Sequence, residues 1–262
     1  MDSFEKKSWF SSNHLYYENT YPIIESEFLK YDANVQYVKT WEEIRNLKMD
    51  GLLCSRLPPL DVGNHVPTAL FRHYELLDAP LIQCVPDLET VMHRICSRLL
   101  QKKVRRIYVF ANPDPHVRYF ADSFLRWTAV LGLRGKVEYS EKGISCKVFP
   151  SRLGYQFGMA LEQVRGCAIF TTSDFRAAGI LKALDERNFR PGEYDLISCN
   201  NWESFGFRPF SYPRLTSIDF RREECLREVV RLLCESIRAP GEGQIRIVKY
   251  PAFLKIRESG LQ

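Results

Sequence analysis

The chain has 262 residues, 45% hydrophobic and 26% charged, which excludes a disordered or fibrous chain and allows one large domain or two lobes of about 100 to 150 residues. The formal net charge of +5 comes from scattered basic residues, and the run Lys102, Lys103, Arg105, Arg106 reads as solvated surface rather than a nucleic-acid patch. Eight cysteines (Cys54, Cys84, Cys96, Cys146, Cys167, Cys199, Cys225, Cys234) sit mostly among apolar neighbours at no metal-like spacing, which reads as free buried thiols in a reducing compartment. The opening Met1 to His14 reads as neither signal peptide nor anchor, and no run reaches membrane length, so the expected location is the cytoplasm with no membrane partner.

Taken in order, Trp9 and Phe10 suggest the remnant of an edge strand, followed by a helix over 15–31 that buries Tyr17, Tyr21, Ile24 and Phe28. A strand over 35–38, a short Thr-capped helix over 40–47 and a strand over 51–54 come next. Pro58, Pro59 and Gly63 mark a loop, 68–77 reads as helical and 80–85 as a strand. Asp87 caps a helix in which Leu88, Val91, Met92, Ile95, Leu99 and Leu100 fall at helical spacing, and a strand over 106–111 follows.

The two prolines of 112–115 mark the expected lobe boundary. Beyond them are a helix over 116–131 that buries Phe120, Phe124, Trp127 and Leu131, a strand over 137–139, a loop over 149–151 and a helix over 154–164. The stretch 167–217 organises the rest of the chain. A strand over 167–172 ends in Thr172-Ser173-Asp174, and a helix with Phe175, Ala178, Leu181 and Leu184 on one stripe follows, with Ser173 or Asp174 as its N-cap. After Pro191-Gly192 a strand over 196–199 ends on Asn200 and Asn201. An extended segment over 215–219, a long helix over 222–237 and strands over 245–250 and 253–256 close the chain. Alternating strands and helices joined by short turns predict parallel, helix-covered sheets, with Asp174 and Asn200 emerging on one edge, where open α/β sheets place ligands.

No residues point to catalysis, a cofactor or a metal. The five histidines lack ligand spacing such as HExxH, and GxSxG, GxGxxG and P-loop motifs are all missing. A binding cleft accounts for more. Asp174 either only caps its helix or also accepts hydrogen bonds from ligand hydroxyls, and Asn200 offers both donor and acceptor, which suits a polyol. Trp202, Phe205 and Phe207 either stack on an apolar ligand face or pack beneath the loop.

At these residues the chain resembles the effector-binding core of LacI/GalR-family transcriptional regulators, which share the type I periplasmic-binding-protein fold. The family's "nDxxAxGxxxAL" is similar to Ser173-Asp174 through Gly179 to Ala183-Leu184, and its "P-D-(h)-(h)-(h)-G-F-D-D" to Pro191 through Leu196-Ile197-Ser198-Cys199-Asn200-Asn201. Its "P-x-L-T-T-(h)" resembles Pro213-Arg214-Leu215-Thr216-Ser217-Ile218, and its terminal "(h)-(h)-x-R-E-S" resembles Leu254 through Arg257-Glu258-Ser259. Earlier, Ala79-Pro80-Leu81-Ile82 and Asp87 are similar to the family's "G-(h)-P-(h)-(h)" and its following Asp.

The resemblance implies two Rossmann-like lobes with parallel sheets joined by a three-segment hinge. The N-terminal lobe would be 1–112 plus 219–241 and the C-terminal lobe 113–218 plus 242–262. It implies a homodimer that senses a small polar effector, a sugar above all, in the interlobe cleft and couples lobe closure to DNA affinity, with no catalysis and no cofactor. Effector contacts pass to Asp174 and Asn200, with Trp202 beside them. The family's effector-binding Arg, four residues before the Phe of "R-x-x-G-F", falls on Phe120 if Phe124 is that Phe, and Arg118 is the candidate substitute. Ser198 and Cys199 stand where the family has Gly-Phe, and Asn200 stands where it has a carboxylate. The helix-turn-helix that reads DNA in such regulators is not found before 15, so the chain is expected to be a piece of a longer regulator rather than a free-standing effector domain. A solute-binding protein of a sugar transport system and, more remotely, a sugar- or nucleoside-processing enzyme are the alternatives.

Overall fold

The structure, a computed structural model, describes residues 12–38, 40–55, 57–59, 61, 66–71, 77–104, 106–111, 115–133, 135–139, 150–208, 212–239 and 246–262. The chain divides into two compact units, one comprising Met1–Pro86 with Arg221–Tyr250 and the other Asp87–Phe220 with Pro251–Gln262.

The first unit contains α1 (Ser12–Leu29), α2 (Trp41–Arg45), β1 (Leu52–Cys54), β2 (Thr68–Leu70) and β3 (Ile82–Asp87). Its four-stranded sheet has the order β1-β2-β3-β9, where β9 is Arg246–Pro251, and β1, β2 and β3 run parallel. Helix α7 (Arg222–Arg238) packs against α1, so that Ile24 and Phe28 meet Leu226, Val229, Val230 and Leu233 over Ala69 and Ile82. The expected Thr cap of α2 forms, with Thr40 accepting from the Glu43 N–H at 3.2 Å.

The second unit contains α3 (Leu88–Gln101), β4 (Arg106–Ala111), α4 (Pro115–Val130), β5 (Gly135–Tyr139), α5 (Pro150–Ala160), β6 (Cys167–Thr171), α6 (Asp174–Glu186), β7 (Tyr194–Cys199), a 3-10 turn (Trp202–Phe205), β8 (Thr216–Asp219) and β10 (Phe253–Lys255). Its six-stranded sheet runs β10-β8-β7-β6-β4-β5 and is parallel except for β10, which lies antiparallel to β8. One face carries Tyr108, Phe110 and Ile169 against α5 and α6, with Phe110 stacked on Phe157 at 4.4 Å between ring centroids. From the other face Phe170 stacks on Phe124 of α4 at 4.3 Å.

Several expectations are corrected. The boundary expected near Asn112 falls at Pro86, because β4 is hydrogen-bonded to both β5 and β6 and lies inside the second sheet. The boundary expected at 241/242 falls after Tyr250, because β9 joins the first unit's sheet, and the one expected at 218/219 falls after Phe220. Thr68–Leu70, read as the start of a helix, is a fully buried strand between β1 and β3, where partners on both sides outweigh the local helical pattern. Residues 35–38 form no strand; Val35, Gln36 and Tyr37 are exposed and take no place in the sheet. The edge strand at Trp9 and Phe10 and the proline pair at 113–115, apart from the first residue of α4, lie outside the described residues. Seven of the cysteines are free thiols, six of them buried and Cys225 half-buried, while Cys146 lies outside the described residues.

Helix α5 starts at Pro150, earlier than the sequence pattern indicates, and Gly154 lies inside it rather than at its start. The reason is close contact with α6. A Cβ at Gly154 would lie 2.0 Å from the Arg176 carbonyl oxygen, and one at Gly179 would lie 1.8 Å from that of Ser151. The helices therefore touch backbone to backbone. Gly179→Ala has to push them apart, and it should lower the unfolding free energy measured in urea by about 3 kcal/mol. Gly132→Ala, at a φ of +69° with open space around it, serves as the comparison and should cost only about 1 kcal/mol.

Candidate functional site

Because β4, β6, β7 and β8 are parallel, their carboxyl ends lie along one edge of the second unit's sheet. The strand order reverses between β4 and β6, the position at which sheets of this kind bind ligands. Ser173, extended at φ −159°, caps α6 by accepting from the Phe175 N–H at 3.3 Å. That leaves Asp174, the first helical residue, available for other partners.

Asp174 is buried, with 2% of its surface exposed. Ser198 on β7 and Ser217 on β8 are partners in the strand register, so their side chains leave the same face. Ser217 Oγ donates to Asp174 Oδ1 at 2.7 Å, and Ser198 Oγ donates to the same oxygen. The Trp202 N–H donates to Oδ2 at 2.7 Å, and the Asn201 N–H donates to Ser217 Oγ at 2.9 Å. Asp174 thus ties the ends of β7 and β8 to the 3-10 turn. Burial pushes its carboxyl up to about 6, against the opposing effects of the Ser198, Ser217 and Trp202 donors and of Arg257.

The C-terminal residues that carry the family-like motif brace this edge. Arg257 donates to Asn201 Oδ1 and to the Leu215 carbonyl, each at 2.7 Å, and lies 3.3 Å from Glu203 Oε2. Arg214 pairs with the same Glu203, and its N–H donates to Glu258 at 2.9 Å. Ser259 Oγ donates to the Leu196 carbonyl and accepts from the Thr216 N–H, each at 2.8 Å. A small depression is lined by Asp174, Glu203, Phe207, Arg208, Arg214 and Arg257.

The structure places the five expected ligand residues differently. Asn200 follows β7 at φ +95°, is partly exposed, donates its backbone N–H to the Ile218 carbonyl at 2.9 Å, and has a side-chain amide with no hydrogen bond among the described residues. Asp174 is buried and accepts from Ser198, Ser217 and the Trp202 N–H, so its first role here is to hold the strand ends and the turn together. Phe120 is a core residue at 1% exposure, stacked on Phe220 at 4.8 Å. Trp202 is buried against Phe175 and Phe205, which selects packing beneath the loop over stacking on a ligand. Arg118 is exposed on α4 and pairs with Asp122 one turn on at 3.3 Å.

Sequence reasoning missed the Ser198–Ser217 pair and Arg176. Ser198 was visible as a departure from the resembled motif's Gly, and its hydroxyl proves to be a donor to Asp174.

Two units with parallel, helix-covered sheets give the chain the architecture of open α/β folds. The family model described as periplasmic binding protein-like domain matches residues 96–260, and the chain belongs to that family. No curated protein matches the chain by sequence. Among solved structures it is similar to a LacI family transcriptional regulator from Enterococcus faecium with bound ribose, at 16% identity and a TM-score of 0.74, covering 95% of this chain and 96% of that one. A LacI family regulator from Enterococcus faecalis with bound ribose matches at 18% identity and a TM-score of 0.70, covering 95% of each chain. A periplasmic binding protein/LacI transcriptional regulator from Alkaliphilus metalliredigens complexed with D-xylulofuranose matches at 16% and 0.70, covering 94% of each. The shared property is the fold of two α/β units with parallel sheets.

Asp174→Ala strands the Ser198 and Ser217 hydroxyls and the Trp202 N–H in the interior and should lower stability in urea by about 2–4 kcal/mol. The raised carboxyl sets a sign for pH dependence. Between the unfolded value of 3.8 and the folded value of about 6 the folded state holds more protons, so this group's contribution to stability falls as pH rises. Wild-type protein should therefore lose stability relative to Asp174→Asn between pH 4 and 6, by at most about 1.4 kcal/mol per pH unit, in parallel urea titrations.

Proposed function

We propose that the chain is the effector-sensing domain of a LacI-type transcriptional regulator, binding a small polar ligand, a sugar or sugar derivative, at the carboxyl edge of the second unit's sheet. The observation that carries the reading is the agreement in fold, over nearly the whole chain, with regulators whose structures hold ribose and D-xylulofuranose. Family membership over residues 96–260 supports it, as does the partly exposed Asn200 amide at the end of β7. Binding is the whole task of such a site; the ligand leaves unchanged, and its work is to bias one conformation over another.

Within this proposal Asn200 contacts ligand hydroxyls as donor and acceptor, and Asp174 positions the loop that carries it. Arg118 remains a surface candidate, and Phe120 and Trp202 serve as the packed floor. In a full-length regulator a separate domain holds the DNA, and ligand affinity and DNA affinity are coupled reciprocally. The protein acts in the cytoplasm as a homodimer, which sedimentation velocity checks directly; among the described residues no helix is long and apolar enough to cross a membrane.

Titration with D-ribose, D-xylulose and cellobiose, followed by calorimetry, tests the sensing role. One of these or a close relative should bind saturably. Asn200→Gly, which keeps the positive φ and removes only the amide, should weaken binding about tenfold, the effect of one or two lost hydrogen bonds. Absence of binding across a broad panel of pentoses, hexoses, polyols and their acid and phosphate derivatives, or affinity indifferent to Asn200→Gly, refutes the assignment.

A further inference from the structure

Two residues after Asp174 begins a second group of polar atoms that the reading above does not use. Arg176, in the first turn of α6, is buried, with 6% of its surface exposed. Its guanidinium makes no hydrogen bond or ion pair among the described residues, and its Nε is enclosed without a partner. The ring of Phe110 lies 5.8 Å from its guanidinium carbon. Burial alone, with no anion nearby, draws its pKa down to about 10.

Phe110 is the penultimate residue of β4, and its partner in the parallel register is Thr171, the last residue of β6. Paired residues of adjacent strands project from the same face, so the Thr171 hydroxyl lies on the face that Arg176 covers. Thr171 is fully buried, and its Oγ1 also lacks a hydrogen-bond partner. An unpaired cation and an unpaired donor therefore share the point where the strand order reverses.

Interiors rarely hold an uncompensated guanidinium, because its desolvation is repaid only by a matching anion. Its planar fork fits the two oxygens of a carboxylate or phosphate, and a neighbouring hydroxyl can donate to the same group. Arg214 and Arg257 at this edge both lie on Glu203, and Arg208, which has no ion pair among the described residues, is exposed to water. Arg176 is neither paired among the described residues nor exposed.

We propose that Arg176 and Thr171 form a subsite for an oxyanion, and that the ligand of this domain is an anionic sugar derivative, a sugar acid or a phosphorylated sugar, rather than a neutral sugar. This rests on the sensing role proposed above. Asn200 at the end of β7 would take hydroxyls, while the charged group would reach the β4–β6 end.

The test is thermal unfolding and calorimetry of the 262-residue chain, at constant ionic strength, with inorganic phosphate, ribose, ribose 5-phosphate, xylose and xylonate. Phosphate should raise the melting temperature saturably, by about 3–5 °C at tenfold excess over Kd, and Arg176→Met should abolish the rise. In anion-free buffer Arg176→Met should melt no lower than wild type, since it removes a buried charge that no protein group balances. Arg176→Lys, which keeps the charge and loses the fork, should weaken phosphate binding about tenfold, and it serves if the Met variant does not fold. Arg165→Met, at an exposed position, should respond to phosphate as wild type does.

Between the sugar pairs, ribose 5-phosphate alone binding better than ribose identifies a phosphate ligand, and xylonate alone binding better than xylose identifies a carboxylate. A phosphate response unchanged in Arg176→Met, or no saturable response to any of the three anions, overturns the inference. If ribose binds in an Asn200-dependent way while the anions do not, the sensing role stands and only the oxyanion subsite falls. If phosphate binds through Arg176 and no sugar or sugar derivative binds, the subsite stands and the sugar-sensing role falls.

Discussion

A carboxylate withdrawn from water must be surrounded by donors, and the carboxyl edge of the second sheet is arranged around meeting that demand at Asp174. Two hydroxyls come from register partners on neighbouring strands, and a backbone N–H comes from the turn that follows. Each donor sits on a different segment, so the acid fixes the relative height of β7 and β8 and the entry into the 3-10 turn together. Replacing any one segment's geometry would leave a polar atom without a partner, which is why so small a group can organise so much backbone.

The chain's last residues extend the same logic outward. Arg257 reaches Asn201 and Glu203, Ser259 bridges β7 and β8 through their backbone, and the Leu261 N–H donates to Asp195 at 2.5 Å. A motif recognisable by sequence as Arg-Glu-Ser is thereby explained as a clasp on the strands that carry Asp174's donors and Asn200. On the opposite side of α6, glycine contacts with α5 hold the helix close enough that its first turn presents two differently treated charges. Asp174 is satisfied by hydrogen bonds from its own chain, and Arg176 is left without a protein counter-charge. That asymmetry is the physical basis for assigning an acidic ligand to this edge.

The elements that sequence reading placed well are those with strong local signals. The helix after Asp87, with its capping carboxylate and apolar stripe, starts where expected, and the capping side chain accepts from the Thr90 N–H. The strand at 106–111 matches residue for residue, and Ser173 was one of two named caps for α6. Readings failed where the deciding partner was distant in sequence. Thr68–Leu70 is a strand because two other strands flank it, and residues 35–38 are not one because they join none. The prolines near 113 looked like a domain boundary, yet the strand before them pairs on both sides within the second sheet.

The sequence by itself determined the alternation of strands and helices, their caps, the absence of a motif for nucleotide, metal or nucleophile chemistry, and the likeness to effector-binding domains; these are recorded in periodicities and short spacings. It also pointed to the strand ends at Asp174 and Asn200 as the place to look. Only the tertiary structure decided which of those polar groups face inward and which remain available. Asp174 is enclosed by Ser198 and Ser217, Phe120 lies against Phe220, Asn200 keeps its amide unengaged, and Arg176 sits over Phe110 with no counter-charge. The reason is that burial and pairing depend on residues brought together by the sheet register, between strands separated by tens of positions along the chain, and no local pattern records that register.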